Sequence, residues 1–151
     1  MKENPPLDPF RMLDETPVII ERVKPKNSDV QSQLAVYIAE QTIKHLNMQD
    51  ERIDRVLKAL HNGKRGDTPE LKQANKLAEE LDEVAFDAQD ADNATYDLAF
   101  CRARAANALE AAFHSNAQDA IIETLYDAFY AVDEDEALLL RWIDEFEERT
   151  K

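Results

Sequence analysis

Glycine and proline are scarce in this 151-residue chain, and their placement restricts the fold. Only two glycines and six prolines occur, and five of the prolines precede residue 27. The sixth, Pro69, lies where the pattern predicts the start of a helix. Because these residues interrupt regular structure, their rarity after residue 27 favours an all-α body.

Cysteine and long apolar runs are also scarce. Cys101 is the only cysteine, so no intramolecular disulfide can form, which fits a reducing compartment. Its place on an apolar helix seam predicts a small packing residue and not a nucleophile. The chain begins without a secretory signal pattern, and no stretch has the length of a membrane-spanning helix. We therefore expect a cytoplasmic protein.

Basic residues are few in the second half of the chain. Residues 1–75 hold 12 basic and 12 acidic residues, whereas residues 76–151 hold 6 and 20, so the formal charge of −14 belongs to the second half. Phosphates are repelled by such a surface. Neither nucleic acid nor a membrane is the expected partner. A basic protein partner, or a solvated acidic surface without a partner, fits better.

Apolar residues recur at helical spacing after residue 27 and predict six helices joined by short connections. The pattern indicates a bundle of mostly antiparallel helices over residues 28–151. Three capping boxes are predicted at helix starts. They are Ser28 with Gln31, Ser115 with Gln118, and Asp133 with Glu136. The predicted helices are Ser28 to about Asn47, Asp50–His61, Thr68–Gln89, Asn93–His114, Ala117–Val132, and a last helix to about Glu148.

Residues 1–27 differ from the rest because prolines interrupt them. Val18–Ile20 is a short β-branched run, which favours an extended conformation. We expect an extended N-terminal arm that lies across the helices, or a strand that pairs with a partner chain, for example in a homodimer.

The predicted helix at Thr68–Gln89 has two distinct faces. Thr68 fits the N-cap and Pro69 the first helical position. One face is an apolar seam rich in alanine, widened by Leu77 and Val84, and the next helix carries a similar seam. Small residues allow close approach, so we predict that these two helices pack on each other. The two seams are Leu71, Ala74, Ala78, Leu81, Ala85 and Ala88, and Ala94, Leu98, Cys101, Ala105, Ala108 and Ala112.

Exposed carboxylates are the candidate binding residues. We expect two groups to form an acidic binding surface: Glu79, Glu80, Glu83 and Asp87, and Asp133, Glu134 and Asp135. No catalytic residue and no cofactor is predicted.

An alternative interpretation gives part of this face a metal. Glu80, Glu83 and Asp87 share a helix face and could hold Mg²⁺, and this resembles half of the site in all-helical nucleotide pyrophosphohydrolases. The matching Glu-x-x-Asp pair is absent from the following helix. An Mg²⁺-dependent phosphohydrolase is therefore the alternative to a binding protein, and a homo-oligomeric structural module is a third hypothesis.

Histidines and arginines carry further expectations. His45, His61 and His114 lie near helix carboxyl ends, where the helix dipole favours them. Glu110 and His114 are four residues apart and could share a metal, but no further ligand is evident. Arg102 and Arg104 are the only cations between Lys76 and Arg141. We expect ion pairs from Arg102 to the acidic face of the preceding helix and from Arg104 to a neighbouring helix.

The order of helices resembles that of small all-helical immunity proteins of bacterial polymorphic toxin systems. The resemblance covers about Val30–Asp135 and is carried by LAVYIAEQTIKHL, ERIDRVLKAL, TPELKQANKLAEEL, AFCRARAANALEAAF and YDAFYAVDED. It implies a non-enzymatic protein that binds and neutralises a toxin. The acidic second half would suit a basic toxin such as a nuclease.

Overall fold

Seven α-helices form the part of the protein that the computed structural model describes, residues 16–150. No strand occurs within that range, so the predicted all-α class is confirmed. The helices are α1 (Pro17–Val23), α2 (Ser28–His45), α3 (Glu51–His61), α4 (Pro69–Asp87), α5 (Asn93–Ala111), α6 (Ala117–Ala131) and α7 (Glu136–Arg149), with a 3₁₀ turn at Ala88–Asp90.

Helix α1 replaces the extended segment expected at Val18–Ile20, and that prediction is wrong. Pro17 occupies the start of the helix, where its missing N–H costs nothing. Ile19 and Val23 are fully buried, and Arg22 pairs with Asp144 and Glu147 of α7, each at 2.7 Å. Packing on α7 therefore overrides the β-branched local preference. The rest of the predicted arm, residues 1–15, lies outside the described residues.

All three predicted capping boxes are wrong, although each helix starts near its predicted position. The cap of α2 is Asn27, whose side chain accepts from the Val30 N–H at 2.9 Å. Gln31 instead donates to the carbonyls of Val23 and Lys24, which ties α2 to the end of α1. Helices α6 and α7 likewise use neighbouring caps, Asn116 and Asp135.

The cap predicted at Thr68 is confirmed. Asp50 caps α3 by accepting from the Arg52 N–H at 2.8 Å, and α3 ends in a turn at Gly63. Gly63 has φ 86°, and the Gly63 and Lys64 N–H groups donate back to Leu60 and Ala59 at 3.0 Å. This is the hydrogen-bond pattern of a Schellman motif.

Close packing of α4 on α5 is the most extensive helix contact, as predicted from their alanines. Ala74 and Ala78 of α4, and Ala105 and Ala108 of α5, are at most 2% exposed. Helix α5 also packs on α6, and α6 on α2. The main core therefore lies among α2, α4, α5 and α6. It continues to α7, where Trp142 is buried.

The far end of the α4–α5 hairpin extends beyond this core. Between Glu79 and Leu98, Ala85 is the only buried residue. Val84, Ala94 and Leu98, expected on the packing seams, are exposed, because the seams continue past the helices that could cover them. These three assignments are wrong. The exposed end of the hairpin is the feature that positions the candidate site.

Substitution of Ala78 by leucine tests the close contact. The larger side chain should overpack the core and lower the free energy of unfolding by about 1–3 kcal/mol. The matched change Ala94→Leu, on the exposed end of the hairpin, should change it by less than about 0.5 kcal/mol. Urea unfolding of both variants measures the difference. Equal effects at the two positions would contradict the described packing.

Candidate functional site

The predicted acidic face of α4 is exposed, and most of it is unpaired. Glu79, Glu80, Glu83 and Asp87 all lie on the surface. Glu80 accepts from Arg52 of α3 at 2.8 Å, and this hydrogen bond lowers the pKa of the Glu80 carboxyl. The other three form no ion pair with residues 16–150. The face therefore keeps three carboxylates without an internal cation.

The second predicted group, Asp133, Glu134 and Asp135, forms the turn between α6 and α7. Asp133 has φ 57° and Glu134 has φ 60°. Their N–H groups donate to the carbonyls of Tyr130 and Phe129, which closes α6. Asp135 then caps α7 by accepting from the Leu138 N–H at 3.0 Å. Backbone geometry thus fixes the exposed side chains of Asp133 and Glu134 at this turn.

An apolar groove lies beside that turn. It has a volume of about 490 Å³ and is bounded by the end of α2, the first half of α5 and the end of α6. Asp133 and Glu134 line its rim together with Asp97. The apolar and aromatic side chains that line it are Leu46, Tyr96, Leu98, Phe100, Cys101 and Tyr130. The structure therefore joins the predicted Asp133 turn to a groove that the sequence did not indicate.

Three large hydrophobic residues are exposed at the same end of the molecule. The exposed fractions are 53% for Val84, 68% for Phe86 and 46% for Leu98. Val84 and Phe86 lie on α4, and Leu98 lies on α5. The acidic face of α4 and the groove are therefore accompanied by apolar surface, a combination typical of interaction sites.

Cys101 lies in the groove wall and is half-buried. Its Sγ lies 3.9 Å from the Tyr130 carbonyl oxygen. Burial raises the pKa of the Cys101 thiol, and Asp133 and Asp97 add to the effect. A raised pKa opposes formation of the reactive thiolate, which agrees with a packing role.

The two arginines of α5 differ in their contacts. Arg104 pairs with Asp127 of α6 at 3.2 Å, as expected, and stacks over Phe100 at 5.5 Å. Arg102 donates to the Leu46 carbonyl at 3.3 Å and pairs with no carboxylate of residues 16–150. The prediction that it bridges to the acidic face of α4 is wrong, since its guanidinium lies against the end of α2. The cation that pairs with Glu80 is Arg52 of α3.

A second cleft, of about 500 Å³, was missed by the sequence interpretation. Asp127 and Glu110 line it, and burial raises the pKa of both carboxyls, that of Asp127 to about 7. His114 contacts Glu123 on the same cleft. A sequence signal existed, since Asp127 is the one charged residue in the run LYDAFYA of α6. A charged residue within a buried helix stretch indicates a special environment.

The histidines and carboxylates do not converge as metal ligands in the described range. Among residues 16–150, no group of three or more His, Cys, Asp or Glu side chains is placed to hold one ion. His61 contacts Glu40 at 3.2 Å, and His45 stacks edge-on against Trp142. Each histidine thus has a local neighbour.

No family model, curated protein or solved structure matches the chain. None of the helices in residues 16–150 has the length and apolar character that a membrane crossing requires. The candidate site therefore rests on its own geometry.

Ionisation of Asp127 should make stability depend on pH. The pKa of about 7 in the folded protein exceeds the ordinary value of 3.8, so the folded state retains a proton that the unfolded chain releases. The free energy of unfolding should therefore fall as pH rises from 4 to 7, by at most about 4 kcal/mol from this group. The variant Asp127→Asn should flatten that slope.

Urea unfolding at pH 5 and pH 8 measures the slope for the wild type and for Asp127→Asn. Asp97→Asn serves as the control, because it makes the same chemical change at an exposed position of α5. An identical pH slope in the wild type and in Asp127→Asn would contradict the raised pKa of Asp127.

Proposed function

We propose that this protein is a non-enzymatic binding protein that recognises a basic protein partner. The observation that carries the proposal is the exposed end of the α4–α5 hairpin with the adjacent α6–α7 turn. Carboxylates that form no ion pair with residues 16–150 lie there beside exposed apolar side chains: Glu83 next to Val84 on α4, and Asp133 with Leu98 along the groove. Protein interfaces combine these two properties, an apolar centre and a polar rim.

Two carboxylates of α7 are already neutralised. On α7, Asp144 and Glu147 pair with Arg22 of α1, and Lys26 reaches Glu147 at 2.9 Å. These cations come from the basic residues of the first half. The first half thus supplies cations to these two acids of α7, whereas on the acidic face of α4 it supplies one only to Glu80. This division supports recognition at the hairpin and not over the acidic half as a whole.

Unpaired surface carboxylates favour a cationic partner in two ways. They accelerate encounter with it over a range of about 10 Å at moderate salt. They also reject other acidic surfaces, since like charges brought together cost free energy. Nucleic acids and anionic membranes are disfavoured as partners for the same reason.

The resemblance to immunity proteins makes the proposal more specific. On that basis the partner would be a basic toxin, for example a nuclease, that the protein binds and neutralises in the cytoplasm. An Mg²⁺-dependent phosphohydrolase has less support. One of its three ligands, Glu80, already accepts a hydrogen bond from Arg52, and Arg52 also pairs with Asp50 at 2.9 Å.

Charge reversal with a matched control tests the proposal. The triple variant Glu79→Lys, Glu83→Lys and Asp87→Lys should lose the partner that the wild type captures at low salt. A control triple variant reverses exposed acids elsewhere and has the same net charge. Its changes are Glu21→Lys, Glu51→Lys and Asp67→Lys.

Capture from cell extract is measured for both triple variants by quantitative mass spectrometry at low and high salt. We expect the control to retain most of a basic partner that is released by high salt. Equal capture by the two variants, or capture that salt does not weaken, would refute recognition through this acidic surface.

A further inference from the structure

The groove between α5 and the α6–α7 turn has rigid aromatic walls. Tyr130 forms edge-on contacts with Tyr126 and Phe129, with ring centroids 5.2 and 5.4 Å apart. On the opposite wall, the ring centroids of Tyr96 and Phe100 lie 6.2 Å apart. Leu98 projects between the groove and solvent and is 46% exposed. The groove thus offers a preformed apolar surface of the size typical of binding pockets, about 300–1,000 Å³.

The rim of the groove carries three carboxylates. Asp97, Asp133 and Glu134 line it, and none forms an ion pair with residues 16–150. Neither arginine of α5 forms an ion pair with these three carboxylates. Arg102 donates a hydrogen bond to the Leu46 carbonyl, and Arg104 forms its ion pair with Asp127.

We propose that this groove binds a segment of the basic partner in which an aliphatic or aromatic side chain is flanked by lysine or arginine. The apolar side chain would contact Leu98, Phe100 and Tyr130, while the flanking cations pair with the carboxylates at the rim. The inference rests on the proposed function and assigns its specificity to the groove. The acidic face of α4 then serves as the surface that attracts the partner.

The acidic rim favours a basic segment over two other candidate occupants of the groove, a second copy of the chain and residues 1–15. A second copy of the chain would bring two proteins of formal charge −14 together, with acidic rims against acidic surfaces. Residues 1–15 contain apolar Phe10 and Leu13, but they carry four acidic and two basic residues. Neither candidate complements the rim, whereas a basic segment does.

Nuclear magnetic resonance titration of the full chain with synthetic peptides tests the inference. The probe is an amidated peptide with a central Leu-Phe pair flanked on each side by three lysine or arginine residues. The matched peptide has Ser-Ser at its centre and the same charge. We expect amide shifts at Tyr96–Cys101 and Tyr130–Glu134, and about tenfold tighter binding of the Leu-Phe peptide.

Two variants separate apolar from charged recognition. Leu98→Ser should lower the affinity for the Leu-Phe peptide by about tenfold and leave the affinity for the Ser-Ser peptide unchanged. The control Val18→Ser makes a similar exposed change on α1, away from the groove, and should leave the binding of both peptides unchanged. Because Leu98 and Val18 are both exposed, neither change should impair folding. The double variant Asp133→Asn, Glu134→Gln should lower the affinity for both peptides.

The outcomes separate the groove from the broader proposal. If both peptides bind equally and Leu98→Ser has no effect, the groove inference is overturned and the proposed function stands. If neither peptide binds at low salt, the proposed function fails and the groove inference fails with it.

Occupation by another part of the protein would also overturn the inference. Sedimentation that shows a dimer abolished by Leu98→Ser would identify a second copy as the occupant. Groove amide signals that shift with Phe10→Ser and Leu13→Ser, without added peptide, would identify residues 1–15.

Discussion

Close packing between α4 and α5 is the contact on which the rest of the structure depends. Buried alanines such as Ala78 and Ala105 allow the two helices to approach, and α5 then carries the contacts to α6. Polar links accompany the seam. Asn107 donates to Asp82 at 3.4 Å, and Asn75, with its amide nitrogen toward Glu110, donates at 2.9 Å.

The same pair of helices provides the exposed end of the hairpin. One portion of α4 and α5 is buried among the other helices, while the portion from Glu79 to Leu98 is largely in solvent. Asp144 and Glu147 of α7 are neutralised by Arg22 and Lys26. Three carboxylates of the acidic face of α4 form no ion pair with residues 16–150, and they lie at the exposed end beside Val84 and Phe86. Division of the hairpin into a packing portion and an exposed portion is thus the structural basis of the proposed recognition.

Helical periodicity predicted the all-α class, six of the seven described helices and the α4–α5 contact. Helix α1 was not predicted, because the β-branched run Val18–Ile20 favours a strand locally. Its helical conformation depends on contacts with α7. The capping boxes predicted at Ser28 and Ser115 are wrong because the preceding or following asparagine, Asn27 or Asn116, caps the helix instead. Neighbouring residues with similar capping ability cannot be ranked from the sequence alone.

The candidate site was predictable only in part. Exposure of Glu79, Glu83, Asp87 and the Asp133 turn followed from their place opposite apolar seams or after a helix. The groove did not follow, because it joins three elements that are distant in sequence. The exposure of Leu98 was also hidden, since its spacing matches the buried seam. Whether a seam residue is covered depends on the length of the neighbouring helices, which periodicity does not report.

Amide hydrogen exchange along α4 and α5 tests the division of the hairpin most directly. The account predicts slow exchange at Ala74–Ala78 and Ala103–Leu109, with a free energy of opening close to that of global unfolding. Exchange should become progressively faster toward Val84–Asp87 and Thr95–Leu98. Uniform protection along both helices, or faster exchange in the alanine-packed portion, would contradict it.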